Sequence, residues 1–253
     1  MTGTEREDGW IVLADENVAP TLHAPEYYSR KGNEVVRYRN RVVYRLEEEN
    51  GAVLYSKWLY PQHEGLLKSL EQRFKRLFRG PRVRHIYLIH RDLLASGFGC
   101  PEPVFSAWRR HELTELFVCR EVAVPPLHRL LRENDEALTM RLLSLVAKDL
   151  RRLHQSGFVH GDALPGNICV DEKSEKVFYL DNDRTRHCTS RRRALRNVIQ
   201  FCSHLTYYCS LANAWQFFIG EYGVSKSEED ALLSAVQRRF REISEERLKA
   251  HRK

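Results

Sequence analysis

The chain is predicted to be an α+β protein, with a β-rich N-lobe over residues 25–122 and a reduced, α-helical C-lobe over 123–253 of a single 253-residue domain. Three observations predict it. Segments rich in Val, Tyr and Leu with turn signals between them crowd the first half, and helical apolar periodicity dominates the second. No internal repeat, low-complexity tract or Pro/Gly/Ser-rich linker separates the two. With 42% apolar and 30% charged residues the chain is too apolar to be disordered, and it is too long for a disulfide-stapled miniprotein.

Glu34 to Tyr38, Arg41 to Leu46 and Ala52 to Leu59 read as strands of a meander, with the turn EEENG at 47–51 between the last two. Leu66, Leu67, Leu70, Phe74, Leu77 and Phe78 then fall on one helical stripe. After the Gly80-Pro81 break, so do Val83, Ile86, Tyr87, His90, Leu93 and Leu94, and Gly97 ends that helix. Strand character returns at Val104 to Trp108 and Leu113 to Ala123, and the lobe boundary is expected near Glu121 to Pro126. A long amphipathic helix follows from about Asp135 to Gln155, capped by Asn134 or Asp135, with Leu138, Leu142, Leu145, Val146, Leu150 and Leu153 on its apolar face. Gly157 stops it. Ile168 to Val170 and Val177 to Leu180 flank the turn DEKSE, and everything after Arg191 reads as helix.

The charge is basic, with 41 Lys and Arg against 34 Asp and Glu, a net of +7, and it is unevenly spread. Residues 68–91 hold eight Lys or Arg against Glu71 alone, and residues 184–196 hold six Arg and no acid. Two basic segments on a slightly acidic body suggest a polyanionic partner, although solvated helix faces would produce the same pattern. Nucleic acid is not the expected polyanion, because no recognised reading motif accompanies the basic segments. Residues 197–220 carry no charged side chain for 24 positions, but eight of them are polar, so a buried helix pair fits better than a spanning helix. With Arg191, Arg192 and Arg193 upstream and Tyr207, Tyr208, Trp215, Phe217 and Phe218 within, peripheral contact with an anionic membrane is a further expectation. The six cysteines lack C-x-x-C or metal-ligand spacing and read as reduced thiols; MTGTEREDGW lacks the basic start and apolar run of a signal peptide. A cytoplasmic chain is expected.

The chemistry concentrates in LHQSGFVHGDALPGNICVDEKSEKVFYLDNDR, residues 153–184. It places Asp162 after His160-Gly161, Asn167 five residues on, and Asp181 and Asp183 after an apolar strand. Asp162 and Asn167 bracket a short loop containing Pro165 and Gly166, and a hairpin would return Asp181 beside Asn167. Such a set can take the proton of an attacking hydroxyl at Asp162 and hold Mg²⁺ on nucleotide phosphates through Asn167 and Asp181. Loop carboxylates also cap turns, but that role does not call for this ordered set. His160 is expected to bond the backbone of the loop instead of transferring protons.

H-G-D-A-L-P-G-N and D-N-D resemble the protein-kinase-like superfamily, whose catalytic loop reads H-R-D-x-x-x-x-N and whose metal loop reads D-F-G. HGD in place of HRD, the ending L-D-N-D-R, and R-G-P-R-V-R-H-I-Y-L-I-H-R-D-L-L-A-S-G-F-G-C-P-E-P-V together look like the lipopolysaccharide core kinases, the Kdo/WaaP family. R-R-R-A-L-R-N-V-I-Q-F also fits the family's helix after the metal loop. The resemblance implies a small two-lobed protein-kinase-like fold without the large substrate lobe, since no A-P-E motif is present and only 70 residues follow Asp183.

It further implies ATP and Mg²⁺ as cofactors and an anionic glycolipid, the lipopolysaccharide core, as substrate. Lys57 in V-L-Y-S-K-W matches the lysine that neutralises nucleotide phosphates, and Glu121 to Ala123 matches the hinge, where the backbone of Glu121 and Ala123 would meet adenine. Asp183 and Arg184 would support the metal loop. Two departures stand out. No G-x-G-x-x-G is present, and Lys31-Gly32-Asn33-Glu34 takes its place; His85 stands where some relatives carry the acid that pairs with the lysine, leaving Glu71 or Asp92 as substitutes. The expected function is phosphorylation of an inner-core sugar hydroxyl. The alternatives are a small kinase of another substrate class and a nucleotide-binding pseudokinase.

Overall fold

A computed structural model describes residues 3–15, 22–38, 40–61, 80–109, 112–133, 136–209 and 211–251. The predicted helix through Leu66 to Phe78, with Glu71, and the cap at Asn134 or Asp135 lie outside the described residues. The chain divides into two compact units, residues 1–95 with 100–122 and residues 96–99 with 123–253.

The first unit is a seven-stranded antiparallel sheet, in spatial order β1 (Thr4–Glu5), β2 (Trp10–Ala14), β6 (Pro103–Arg109), β7 (Glu115–Arg120), β5 (Val53–Leu59), β4 (Arg41–Glu47) and β3 (Asn33–Tyr38). Helices α1 (Tyr27–Arg30) and α2 (Arg82–Ala95) complete it. Because side chains alternate across a strand, neighbouring residues of one strand enter different cores. On β7, Leu116 and Val118 join Trp10, Tyr28, Leu54, Trp58 and Phe105, whereas Phe117 joins Leu13, Leu59, Val83, Ile86 and Tyr87 of α2. A strand buried on both faces needs a continuous apolar run, and Leu116-Phe117-Val118 supplies it. The first turn of α2 holds no acid of its own; the buried Glu115 carboxylate of β7 accepts the Val83 N–H at 3.1 Å instead.

β2 is absent from the strands the sequence predicts. Trp-Ile-Val-Leu-Ala lacks alternation, and it becomes a strand by pairing with β6 over its whole length, with the Trp10 indole donating to Glu26 at 3.0 Å. The stripe on α2 is also displaced. Ile89 is buried, and Leu94, placed on the stripe by sequence, is 36% exposed.

The second unit contains α3 (Leu127–Glu133), which the sequence did not predict, α4 (Glu136–Gln155), β8 (Phe158–Val159), β9 (Ile168–Asp171), β10 (Lys176–Tyr179), a single 3-10 turn (Asn182–Arg184), β11 (Arg186–His187), α5 (Arg191–Leu205), α6 (Leu211–Tyr222) and α7 (Lys226–His251). The buried face of α4 runs through Thr139, Leu142, Leu143, Val146, Ala147, Leu150 and Leu153. The charge-free stretch forms parts of α5 and α6, whose Phe201 and Phe218 rings meet at 5.0 Å, both fully buried. Among the described residues no helix is long and apolar enough to cross a membrane.

Segment 96–99 belongs to this unit through backbone contact. Gly99 bridges Phe178, and its carbonyl accepts the Tyr179 N–H at 2.9 Å. A Cβ at Gly99 would stand 2.3 Å from the Val177 carbonyl oxygen, closer than any side chain tolerates. Gly99→Ala is therefore expected to destabilise the second unit by about 1–3 kcal/mol. Urea unfolding followed by a probe in this unit measures it, and an unchanged midpoint would show that the bridge is not needed.

Candidate active site

The loop between β8 and β9 and the segment after β10 carry the predicted residues of the second unit. β9 and β10 pair from Ile168 opposite Tyr179 to Asp171 opposite Lys176, and the ladder continues where Leu180 N–H donates to the Asn167 carbonyl at 2.8 Å. Asn167 therefore faces Leu180 across the hairpin, and Asp181 follows directly. The tight turn before Asn167 is closed by Leu164 N–H on the Asp162 carbonyl (2.9 Å) and Asn167 N–H on the Leu164 carbonyl (2.8 Å).

Asp162 is held at both carboxylate oxygens. Gln200 of α5 donates to Oδ1 at 2.8 Å, and Asn167 Nδ2 lies 3.4 Å from Oδ2 while donating to the Asp162 carbonyl at 3.0 Å. With its Nδ2 turned to Asp162, Asn167 keeps Oδ1 as its other face.

His160 is fully buried, and its tautomer follows from its partners. Nδ1 accepts the Asp162 N–H (3.3 Å), so the proton sits on Nε2, which donates to the Leu180 carbonyl (2.9 Å). Burial pushes its pKa down, keeping the ring neutral. One imidazole thus links the residue before Asp181 to Asp162, and it does so without proton transfer.

Gly161 has φ +76°, and a Cβ there would lie 2.6 Å from the Arg184 carbonyl oxygen. This explains H-G-D in place of H-R-D, because no side chain fits that backbone. Asp181 itself is left-handed at φ 52°. Its flank is anchored by the buried Asn182, whose Nδ2 donates to the Tyr179 carbonyl (2.8 Å) and whose Oδ1 lies 2.9 Å from the Thr185 hydroxyl, which also reaches the His160 carbonyl at 3.0 Å.

Two residues of this network escaped the sequence reading as site residues. Asn197 Oδ1 accepts the His160 N–H at 3.0 Å, and Gln200 one turn later holds Asp162. The signal was N-x-x-Q, one face of the Arg-rich helix after the metal loop. His154 Nε2 donates to the same Asn197 oxygen at 3.2 Å, and its Nδ1 accepts from Tyr222 Oη at 2.7 Å. Burial pushes its pKa down to about 4.

Lys57 and Glu121 lie in the first unit. Lys57 sits on β5 between Val43 and Phe117, and the nearby Cys119 thiol, pushed up to about 12 by burial, is neutral. The Glu121 side chain accepts from Tyr55 Oη (3.1 Å) and Arg45 (3.5 Å), and its N–H donates to the Val53 carbonyl (2.8 Å), which leaves its carbonyl as the candidate hinge group. Ala123 opens the second unit's main segment and is exposed. Lys31 and Gly32 lie ahead of β3, and Asn33 and Glu34 open it opposite Arg45 and Tyr44, so none of the four forms the turn of the β3–β4 hairpin.

Among the described residues no group of three or more His, Cys, Asp or Glu could hold a metal by itself. The oxygen set of Asp181 and Asn167 nevertheless fits Mg²⁺, which takes one or two carboxylates and completes its shell with water and substrate phosphate.

A family model described as the lipopolysaccharide kinase (Kdo/WaaP) family matches residues 38–220, in agreement with the resemblance read from H-G-D, D-N-D and the basic helix entry. Among solved structures, a high-resolution structure of WbdD aligns with TM-score 0.52 at 15% identity over 82% of this chain and 50% of that one. The bifunctional kinase-methyltransferase WbdD at medium resolution gives 0.50, 14%, 79% and 47%. The amicoumacin kinase hAmiN, in complex with AMP-PNP, Ca²⁺ and Ami, gives 0.50, 12%, 82% and 77%. The chain spans about half the length of the WbdD chains. These likenesses show a protein-kinase-like fold. No curated protein sequence matches.

His154 gives the network a pH signature. Its pKa falls from 6.5 to about 4 on folding, so between those values the unfolded chain binds a proton that the folded one does not. Its contribution to stability is complete above pH 6.5 and is lost as pH falls toward 4, by about 3 kcal/mol in all. In His154→Gln the urea midpoint is expected to fall less between pH 7 and 5 than in wild type; parallel curves would show that His154 does not titrate this way.

Proposed function

The chain belongs to the lipopolysaccharide kinase (Kdo/WaaP) family, and on that premise we propose that it is an ATP- and Mg²⁺-dependent phosphotransferase acting on a sugar hydroxyl, of Kdo or heptose, in the lipopolysaccharide inner core. The observation that carries the reading is the Asp162 carboxylate, fixed by Gln200 and Asn167 beside the hairpin end that bears Asp181.

In this reading Asp162 is the general base. Its Oδ2, engaged among the described residues only by the 3.4 Å contact to Asn167, takes the proton of the acceptor hydroxyl. The acceptor oxygen then bonds to the terminal phosphorus of ATP as the bond to the ADP oxygen breaks. Asn167 and Asp181 hold Mg²⁺, which when bound offsets negative charge on the phosphates. Lys57 contacts the phosphates, and the backbone of Glu121 and Ala123 meets adenine. Asp183 and Arg184 complete the metal loop. The proposed place of action is the cytoplasmic face of the inner membrane, with the protein bound peripherally.

Three proteins test the catalytic assignment with purified inner-core lipid and ATP: wild type, Asp162→Ala and Asp181→Ala. Asp162→Ala is expected to lower kcat by about 10²–10⁴ with nucleotide affinity retained, and Asp181→Ala to lose Mg²⁺-dependent nucleotide binding. Equal turnover in all three would remove these residues from the mechanism. Mass spectrometry of core lipid from a deletion strain tests the substrate, the expected result being one missing phosphate.

A further inference from the structure

A cavity of about 450 Å³ opens within the second unit beside the loop that carries Asp162. Its lining includes Gly161, Gln200 and four arginines, Arg186, Arg193, Arg196 and Arg239. Three elements converge to build it. β11 pairs with β8 so that Arg186 faces Val159, two residues before Gly161. On α5, positions 193, 196, 197 and 200 share one face, so the face that holds Asp162 through Gln200 continues into Arg196 and Arg193. Arg239 comes from α7.

The arginines are exposed and only partly compensated. Arg239 pairs with Glu242 at 3.0 Å, and among the described residues the Arg193 side chain reaches only the Cys188 sulfur, at 3.9 Å. Among the described residues, Arg186 and Arg196 form no ion pair. Four guanidinium groups around one concave surface focus positive potential, and their planar forks suit the oxygens of a carboxylate or phosphate. At 1.5 Å per residue, Arg196 and Arg193 lie about 6 and 11 Å along α5 from Gln200. That spacing suits one saccharide unit with its reacting hydroxyl at Asp162 and its anionic substituent among the arginines, and the cavity volume is that of a small-molecule site.

We propose that this arginine-lined cavity is the subsite for an anionic substituent, carboxylate or phosphate, of the acceptor saccharide, and that it positions the acceptor hydroxyl against Asp162. The second part rests on the phosphotransferase reading; the first does not. Arg193, Arg196, Arg186 and Arg239 are specificity-determining residues, and Asn197 and Gln200 join their helix to the loop they serve.

Calorimetric titration with lipid-free inner-core oligosaccharide tests the subsite in three forms: native, carboxyl-amidated and dephosphorylated. Wild type is expected to bind the native form about tenfold or more tightly than at least one neutralised form, and the form that loses affinity names the anion. R196Q/R239Q is expected to abolish that preference, whereas R192Q, a change of equal sign on α5 outside the cavity, keeps it. Equal affinity of wild type for all three forms, survival of the preference in R196Q/R239Q, or its equal loss in R192Q would overturn the subsite. Phosphate transfer from ATP to the native form is measured in parallel. Transfer with a wild-type KM in R196Q/R239Q leaves the kinase reading standing and the subsite fallen; arginine-dependent binding without transfer does the reverse.

Discussion

The candidate site depends on one buried neutral imidazole. His160 accepts the Asp162 N–H and donates to the Leu180 carbonyl, so it ties the loop bearing the proposed base to the strand end bearing the proposed metal ligand. The bond from Asp162 is lost if the ring charges, because imidazolium has no acceptor nitrogen, whereas the bond to Leu180 needs only the Nε2 proton and survives. Burial opposes that charging, with the nearby carboxylates of Asp162 and Asp181 pulling the other way but more weakly. The ring is thus a fixed spacer, and its value lies in remaining chemically silent.

Around that spacer the backbone adopts two left-handed conformations with opposite solutions. At Gly161 the conformation coincides with contact to the Arg184 backbone, so only glycine fits. At Asp181 the left-handed geometry carries a side chain, the proposed metal ligand, and costs about 1–2 kcal/mol. The cost is offset on both sides: His160 holds the Leu180 carbonyl before it, and the buried Asn182 amide bonds the Tyr179 carbonyl after it. Strain persists at a residue only where neighbours over-determine it, and here bonds to the carbonyls of Tyr179 and Leu180 hold the backbone that leads into Asp181.

This division explains what was legible in the sequence. Asp162, Asn167 and Asp181 could be grouped because a short loop and a hairpin, both local, bring them together. The family could be read because its motifs are ordered along the chain. Asn197 and Gln200 could not be assigned in the same way, since their partners lie 37 and 38 residues away and one amide in a helix resembles another until packing selects it. Trp10 to Ala14 failed for a related reason. Its strand character comes from pairing with β6, more than 90 residues distant, which no local period records. Leu94 is the converse case: its periodicity is correct, but α2 buries Ile89 in place of it.

The net charge of +7 takes on a different meaning once its members are placed. Some arginines are spent internally, as in Arg91 with Asp15 at 2.9 Å and Arg191 with Glu228 at 3.2 Å. Exposed pairs of this kind add about 0–1 kcal/mol each and neutralise themselves, so they neither explain the fold nor attract a partner. The surplus that reaches solvent as a field is the part left uncompensated, and in the second unit Arg186, Arg193 and Arg196 bring part of it to the lining of one cavity. Like charges held together there repel, which disfavours the folded state slightly and makes the arrangement useless for stability. What it supplies is a local potential that falls off within about 8–10 Å at physiological salt. On the proposed reading that range would cover a sugar seated at Asp162 and little beyond it, so the charge would act as a positioning device for a bound acceptor more than as a long-range attraction to any polyanion.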